Sequence, residues 1–512
     1  SGIAARSGGD LKTMRLAQSC NGEYANYFGA TSSAQVALVL AGFNATLTRC
    51  NGVYEKDLAL HLNLIANTTS VIYYTPSTDP YTTLANWNSQ LQSTLTSVIG
   101  EANYDIGHMF GASGGGGNAG CIGCVCVNGS KGSGITSPAD GIPQGDNFDI
   151  DYVVHEVGHQ LGANHTFSSS NEGSGVNKEV GSGITIMGYA GITTQDVAAH
   201  SLAIYHQASI SQIQTNLGTK TCPVTSAITN STPVVGAVSN YTIPISTPFA
   251  LTGSATDANA GDVLTYCWEQ NDNASSSQTG NSSRASATKA TGPNWITFSP
   301  SVSPTRYFPQ LSTILAGGTT TGPLTGGDAG VLTEALSSVS RTLNFRLTVR
   351  DNAPYSSTAP ISVGQTQFTD MVVTVSNTSG PFIITAPNTA VSWAGGSSQT
   401  ITWNVDSTTA APVSCANVKI SLSTDGGQTF PTVLIASTPN DGSQALTIPN
   451  TASSTARIKV EAVGNIFFDI SNTNFTITAG SSCGTPSGLA SSAITTSGST
   501  VSWTAVSGAT SY

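Results

Sequence analysis

The 512-residue sequence predicts a multidomain protein in which an N-terminal α/β (α+β) domain, with a mixed twisted sheet, is followed by all-β sandwich domains. Two observations carry this prediction. The chain is about three times as long as a typical domain of ~150 residues, so several hydrophobic cores are expected. Helical and strand patterns alternate over residues 1–222, whereas the later patterns are almost all those of short strands separated by turn residues.

Residues 1–222 contain alternating helix and strand patterns. Strands are predicted from short runs of alternating or continuous apolar residues, at Met14 to Ala17, Asp57 to Ile65, Val71 to Tyr74, Tyr104 to Phe110 and Ala119 to Val127. Helices are predicted where apolar residues recur every three or four positions, at Ser33 to Thr48, Leu84 to Ile99, Tyr152 to Leu161 and Ala198 to Leu217. Gly218 is expected to end the last helix, and Gly114 to Gly117 to form a loop.

The remaining residues predict a linker and several β domains. Residues 223–236 are rich in Ser, Thr and Pro, which is typical of a linker. Residues 237–378 and 379–480 each predict a β-sandwich, with Trp268 and Trp403 filling the two cores. Residues 481–512 resemble the start of a fibronectin type III module, truncated in this sequence, and we expect them to be poorly packed.

The composition excludes several classes of protein. Charged residues make up only 9% of the chain, which argues against a coiled coil and against a charge-rich disordered chain. The net charge of −11 argues against nucleic acid as a partner. No apolar run is long enough to predict a transmembrane segment.

The cysteines indicate an oxidising compartment. Six of the nine lie before residue 223, which predicts up to three disulfides: Cys20, Cys50, Cys121, Cys124, Cys126 and Cys222. Fifteen pairings are open, Cys20 with Cys50 among them, and Cys121 to Cys126 also fits a metal-binding or redox motif. Cys267, Cys415 and Cys483 are expected to be buried thiols, or to pair beyond this sequence. We therefore expect a secreted or extracellular protein, with attachment to a cell surface through a missing C-terminal region as an option.

One motif indicates metal chemistry, the run HEVGHQLGANH from His155 to His165. On the predicted helix, His155 and His159 project from one face, four residues apart. Gly162 allows the backbone to leave the helix, so that His165 returns as a third ligand. Three neutral imidazoles leave one position for water, which predicts a catalytic Zn²⁺ site rather than a closed structural one.

Glu156, next to the first ligand, is the predicted general base and later the general acid. It would take a proton from a water polarised by zinc and pass it to the leaving amine. Asp149 is the predicted N-cap of this helix, and Asp151 adds favourable charge to its first turn. Solvated histidines on an ordinary helix would be the alternative, but three of only seven histidines fall within eleven residues.

The zinc motif, followed by Met187 in the stretch TIMGY, resembles the metzincin clan of metalloendopeptidases. Residues 1–222 are most similar to bacterial reprolysin-like (adamalysin-related) peptidases in the stretches YDIG, FDIDYVVHEVGH, GANHTF and GSGITIMGYAG. After the third histidine this sequence has Thr166 and Phe167, where animal adamalysins have Asp at the first position. The resulting His-Thr-Phe run resembles that of the pappalysin family. The resemblance implies a metzincin catalytic domain with an active-site helix, and Met187 as a hydrophobic base beneath the histidines.

The resemblance also suggests roles for less certain residues. Tyr189 would stabilise the oxyanion, with a cleft-wall residue as the alternative. An extended substrate would add to an edge strand around Gly120 to Val125, whose contact residues are Gly120, Cys121, Ile122 and Gly123.

Two further groups of residues are weaker candidates. Asp257, Asp262 and Asp351 lie near turns of the first sandwich, in a stretch that resembles polycystic-kidney-disease-type (PKD) or cadherin-like modules. They are candidate Ca²⁺ ligands, and ordinary Asx turns are the alternative. The remaining histidines lack ligand spacing and are expected to be structural: His61, His108, His200 and His206.

The sequence thus predicts a secreted zinc metalloendopeptidase (EC 3.4.24.-) that hydrolyses protein or peptide substrates. Its PKD-like, Ig-like and fibronectin-like modules are expected to bind extracellular-matrix or cell-surface ligands. The competing hypothesis is a non-catalytic adhesin or binding protein built on an inactive peptidase-like head. Such heads usually lose a metal ligand or the glutamate, and all four residues are present here.

Overall fold

The computed structural model describes residues 9–480 and 485–506, which form two compact units. One unit comprises residues 9–313 and 318–378, and the other comprises residues 314–317 with the described residues from 379 onward. The first unit therefore holds both the predicted catalytic region and the first predicted β-sandwich. Cys483, a predicted thiol, lies outside the described residues.

The N-terminal region of the first unit is a mixed six-stranded sheet with helices on both faces. Its strands are β1 Asp10–Cys20, β2 Leu60–Leu64, β3 Ile106–Phe110, β4 Gly116–Asn118, β5 Gly134–Ser137 and β6 Val224–Ala227. Its helices are α1 Gly22–Tyr27, α2 Val36–Leu58, α3 Leu84–Thr94, α4 His155–Leu161 and α5 Gln207–Leu217. The strand order is β2-β1-β3-β5-β4; β4 runs antiparallel to β5, and β6 runs antiparallel to β1.

Strand β3 shows why this sheet is covered on both faces. All five of its residues are buried, as expected of a central parallel strand. Ile106 and Phe110 contribute to the core that contains α2, α4 and α5, whereas Met109 contributes to the opposite core. That second core includes Trp87 and Leu91 of α3, one helical turn apart.

Several predicted elements have other bounds. Helix α2 continues to Leu58 and ends where Ala59 adopts a left-handed φ of 51°, so the predicted strand from Asp57 starts too early. The predicted strand Val71 to Tyr74 is wrong, since only an isolated bridge joins Ile72 to Cys20. Helix α5 begins at Gln207 rather than Ala198, because backbone hydrogen bonds tie residues 196–199 to residues 324–328.

The predicted linker and edge strand also need correction. Residues 224–227 of the linker form β6 and add to the catalytic sheet beside β1. The strand predicted at Ala119 to Val127 is wrong, and the last strand of the sheet is β4. Positive φ values at Gly120, Gly123 and Cys126, together with a Cys121–Cys124 disulfide, are incompatible with an extended strand there.

Two disulfides occur among the described residues, Cys121–Cys124 and Cys126–Cys222. The suggested pairing of Cys20 with Cys50 is wrong, because both are buried free thiols. Cys50 Sγ is 3.6 Å from the Asp149 carbonyl oxygen, to which it donates. Cys267 and Cys415 are buried thiols, as predicted.

Apart from the last two residues of α6, the first β region lies in the same unit as the N-terminal sheet. Its elements are β7 Val234–Val235, β8 Tyr241–Pro244, β9 Phe249–Thr252, β10 Ala255–Thr256, β11 Thr265–Gln270, β12 Thr305–Phe308, α6 Leu311–Leu315, β13 Thr320–Thr321, β14 Glu334–Ala335, β15 Arg341–Arg350 and β16 Thr366–Ser376. The main sheet has the order β11-β15-β16-β8. The remaining strands of this region form three separate two-stranded sheets, β9–β12, β7–β10 and β13–β14. Trp268 is buried in β11, and its indole N–H donates to the Pro304 carbonyl.

This β region shares buried structure with the catalytic region. Arg350 of β15 and Asp57 of α2 form an ion pair of 2.6 Å in which both side chains are fully buried. The other Asp57 oxygen accepts the backbone N–H of Tyr205, and Arg350 donates to the Tyr205 carbonyl. A hydrophobic cluster also joins Val180, Ile184 and Val197 to residues of the β region, including Ile296 and Val331.

The second unit is entirely made of strands apart from its first residues. Its strands are β17 Ile383–Ala386, β18 Ser392–Ala394, β19 Ser398–Asn404, β20 Asn417–Ser423, β21 Thr432–Pro439, β22 Ser443–Thr447, β23 Ser453–Ala462, β24 Phe468–Ile470, β25 Phe475–Thr478, β26 Ser487–Ser492 and β27 Thr500–Thr504. The sheets β17-β19-β22 and β18-β25-β23-β20-β21 enclose buried Trp403, and β24 pairs with β23. Strands β26 and β27 form a hairpin with exposed side chains such as Leu489.

None of the helices in the described part of the chain has both the length and the apolar character needed to cross a membrane.

Candidate metal centre and catalytic site

Helix α4 continues a π-helical stretch, Asn147–Val154, so the helical segment starts five residues before the predicted Tyr152. Buried Phe148 and Ile150 extend its apolar face upstream. Asp149 is therefore not the N-cap: it lies within the helix, and burial raises its pKa. Asp151 also lies within the helix, where it accepts hydrogen bonds from His200 Nδ1 and the Ser201 backbone.

The three predicted ligands converge on one point. The Nε2 atoms of His155 and His159 are 3.2 Å apart, those of His155 and His165 are 3.2 Å apart, and those of His159 and His165 are 2.9 Å apart. A tetrahedral ion with bonds of 2.0–2.1 Å would separate its ligand nitrogens by about 3.3 Å. The three histidines therefore fit a zinc ion closely.

The outer nitrogen of each imidazole has an oxygen acceptor. His155 Nδ1 donates to the Ile186 carbonyl at 2.6 Å, and His159 Nδ1 donates to the Ala163 carbonyl at 2.7 Å. His165 Nδ1 lies 2.9 Å from the Glu172 carboxylate. With the proton on Nδ1, the lone pair of each Nε2 faces the common centre, as a metal ligand requires.

Burial keeps these imidazoles neutral. Desolvation lowers the pKa of His159 to about 4, and desolvation together with the neighbouring imidazoles lowers the pKa of His155 well below its usual value. Burial also lowers the pKa of His165, although Glu172 opposes the shift. Neutral imidazole is the form that binds a metal.

Gly162 makes the return of His165 possible. Its φ of 126° lies in a region that side chains with a Cβ rarely adopt, and a Cβ there would come within 2.8 Å of Asn216. The chain turns at this residue and carries His165 back to the other two ligands.

Glu156 is buried beside the histidines, with only 8% of its surface exposed. Burial raises its pKa to about 8, and a hydrogen bond from the Ala119 backbone partly offsets this. Strand β4 lies directly against the carboxylate: a Cβ added to Gly117 would be 2.3 Å from Glu156 Oε1. The strand and the carboxylate therefore leave no room for a side chain between them.

Met187 lies beneath the helix, fully buried. Its turn is closed by a hydrogen bond from Gly188 N to Thr185 O, and a Cβ added to Gly158 would be 2.7 Å from Met187 Sδ. The ring of Tyr189 packs on the histidines, with centroid distances of 5.3 Å to His155 and 4.5 Å to His165. The Met turn thus supports the helix between its two ligands.

Two carboxylates of the site were not found from the sequence. Glu172 holds His165, and Glu179 is a buried carboxylate that organises the Met turn. Glu179 accepts hydrogen bonds from the hydroxyls of Thr166 and Thr185 and from the backbone of Ile184 and Thr185. The only available signal was that each is a lone acid in a stretch otherwise poor in acids.

A cleft opens beside the histidines. A cavity of about 490 Å³ is lined by His155, Glu156, Gly116 and Gly117 on one side and by the segment after Met187 on another. The predicted contact residues Gly120, Cys121, Ile122 and Gly123 do not line it. They form a loop in which Gly123 N donates to the His159 carbonyl.

Most of the other candidate residues have local hydrogen-bond partners. Asp257, Asp262 and Asp351 do lie together, each offering an oxygen within 4.8 Å of the others. Asp351 already accepts hydrogen bonds from Asn230 and from the backbone of Ala353 and Gln365, and Asp257 accepts one from Asn259 N, so calcium stays a prediction. The other histidines have local partners, the closest being Glu55 for His61, Gln160 for His108, Asp151 for His200 and the Ala208 backbone for His206.

The chain is similar to several solved β modules at low sequence identity. The chain is similar to the fibronectin(III)-like modules of Clostridium thermocellum CbhA, with 12% identity over 48% of this chain and 94% of that chain and a TM-score of 0.15. It is also similar to titin domains Z1Z2 in complex with telethonin, with 9% identity over 50% of this chain and 100% of that chain and a TM-score of 0.13. Scores this low carry no argument, so the β architecture rests on the strand pairing described above.

Comparison with known sequences is informative for the N-terminal region. No curated protein matches the chain. A family model does match residues 11–218, and it is described as "Metallo-peptidase family M12B Reprolysin-like". The region that contains the three histidines, Glu156 and Met187 therefore matches the reprolysin-like metallopeptidases of family M12B.

Proposed function

We propose that this chain is a secreted zinc-dependent endopeptidase that hydrolyses internal peptide bonds of proteins. The observation that carries the proposal is the convergence of three Nε2 atoms within 3.2 Å of one another, with the Glu156 carboxylate buried beside them. The M12B match supports a metallopeptidase, and this family is zinc-dependent. We further propose residues 1–222 as the catalytic region.

His155, His159 and His165 would hold the ion, which supplies Lewis-acid polarisation of the scissile carbonyl and of water. Glu156 accepts the proton of the attacking water, holds it on its carboxylate and delivers it to the leaving amine nitrogen. Burial raises the pKa of Glu156 to about 8, and the positive charge of a bound Zn²⁺ would lower it again, which favours the carboxylate form that accepts the proton.

Substrate binding is proposed to use the last strand of the sheet. Strand β4, Gly116–Asn118, lies beside Glu156, and an extended peptide could pair with it through main-chain hydrogen bonds. This position replaces the loop Gly120 to Gly123 of the sequence-based prediction. Tyr189, packed against two of the histidines, is the proposed donor to the oxyanion.

The test is a Glu156→Ala variant of the full chain, assayed on casein with and without a zinc chelator. We expect the variant to lose at least 10³-fold in turnover and to keep stoichiometric zinc, because the three ligands are untouched. Glu23→Ala, which removes a carboxylate from the first turn of α1, is the control and should retain full activity. Chelation should abolish the activity of both the parent and the control.

The competing adhesin hypothesis makes the opposite prediction. A non-catalytic head would cleave nothing in either form, whether or not zinc is bound. Full activity of Glu156→Ala would reject the proposed mechanism but not the peptidase itself. The two disulfides support an extracellular location, and the β regions are proposed to bind matrix or cell-surface ligands.

A further inference from the structure

The cavity beside the proposed catalytic groups is also lined by two further carboxylates. Its near wall contains His155 and Glu156, so a side chain next to the cleaved bond would enter here. The same lining includes the carboxylates of Asp140 and Asp151. With a volume of about 490 Å³, the cavity is large enough for the longest side chains.

The lining combines apolar surface with negative charge. Tyr152, Ala190 and Ile192 supply the apolar surface, and no Lys or Arg lines the cavity in the described part of the chain. Besides His155, the lining includes a second histidine, His200; its Nδ1 is 2.7 Å from Asp151, and its side chain is 64% exposed. Asp151 itself is 13% exposed, so its charge is only partly screened by solvent.

An aliphatic stem with a terminal cation matches this lining. Lys and Arg side chains lay their methylene groups along apolar surface and keep the charged end near polar groups. The two carboxylates have only an imidazole and neutral groups as partners, so a substrate cation would add a charge pair that a Leu cannot supply, and a Glu would face like charges, which costs affinity.

We propose that this cavity selects substrates with Lys or Arg beside the cleaved bond, through Asp140 and Asp151. The inference rests on the proposed peptidase function and adds the class of substrate to it. Asp140 is exposed and accepts hydrogen bonds from Asn147 and the Ile142 backbone, so it can be changed without disturbing the core.

The test is cleavage-site profiling of the full zinc-loaded chain on a peptide library, with products identified by mass spectrometry. We expect Lys and Arg to be enriched about tenfold over Leu at one of the two positions that flank the cleaved bond. Asp140→Asn and Asp151→Asn should each lower this Lys/Arg-to-Leu ratio at least threefold, and Asp140→Lys should raise cleavage beside Glu relative to Lys. Asp10→Asn, which removes one charge from β1 away from the cavity, should leave the ratio unchanged.

The outcomes separate the two proposals. Cleavage without any preference for Lys or Arg, or a ratio that neither Asp140 variant changes, overturns the selectivity and leaves the peptidase function standing. Absence of cleavage by the zinc-loaded parent overturns both. If Asp151→Asn fails to fold, the two Asp140 variants still decide the question.

Discussion

The three imidazoles of the candidate zinc centre are not held equally firmly. Backbone carbonyls of Ile186 and Ala163 hold His155 and His159 in the interior. His165 depends instead on Glu172, a side chain that is 47% exposed. His165, the third candidate ligand, is thus oriented by an exposed side chain, which can move more freely than the backbone carbonyls that orient the other two.

We predict that Glu172→Ala weakens zinc binding about 10- to 100-fold, because the His165 ring loses the acceptor that orients it. The measurement is the zinc dissociation constant of the full chain, by competition with a chromophoric chelator. Glu172→Gln should recover much of the loss, since its amide oxygen still accepts from Nδ1. An unchanged dissociation constant in Glu172→Ala would show that His165 needs no such support.

The convergence of the three histidines was predictable from the sequence because it depends on local geometry. His155 and His159 are one helical turn apart, and Gly162 permits the break that returns His165. Glu172 and Glu179 were not predictable, because they reach their partners from an irregular segment whose path depends on tertiary packing.

Among the elements, strand β4 has the most direct contact with the catalytic group. Gly117 leaves no space for a side chain beside Glu156, and its own backbone conformation is ordinary. A Cβ at this position must displace the carboxylate or the strand.

We therefore predict that Gly117→Ala lowers kcat/KM at least tenfold while zinc content stays stoichiometric. The control is Gly52→Ala in helix α2, where an added Cβ meets nothing within 4 Å and alanine favours the helix. Steady-state kinetics and metal analysis of both variants provide the comparison. Parent-like activity in Gly117→Ala would mean that β4 can move away without consequence.

Element boundaries were harder to predict than element types. The helix carrying the zinc ligands was expected from Tyr152, yet its apolar face begins with Phe148. The edge strand was placed at the apolar run after Ala119, whereas the paired residues are the glycines of β4. Strand pairing there is decided by backbone hydrogen bonds, which leave no hydrophobic pattern in the sequence.

At the scale of the molecule, the first β region and the N-terminal region are parts of one folded unit that share buried contacts. The fully buried Arg350–Asp57 pair connects β15 to α2. Asp57 also holds Tyr205, whose hydroxyl donates to the Val154 carbonyl just before α4. The ion pair is therefore two contacts away from the zinc ligands.

We predict that Arg350→Met destabilises the first unit by about 3–5 kcal/mol, because a buried carboxylate is left without its partner. Arg49→Met, which breaks an exposed pair with Asp146, should cost less than about 1 kcal/mol. Urea unfolding followed by tryptophan fluorescence measures both. Equal effects of the two substitutions would contradict an integral role for the β region.

The sequence predicted the change from mixed to all-β architecture but not this connection. The composition of residues 223–236 is that of a linker, yet β6 lies in the catalytic sheet. Asp57 and Arg350 are 293 residues apart, and no local pattern marks them as partners.

The loop closed by the two disulfides has a final consequence. Gly123 and Val125 donate to the carbonyls of His159 and Gln160, so this loop steadies the end of the zinc helix from which the second ligand projects. Thiol reductants should therefore abolish the proposed peptidase activity without touching any of the three candidate metal ligands. In a reducing cell interior the four cysteines would stay as thiols, and the proposed peptidase would remain inactive towards the proteins of the cell that makes it.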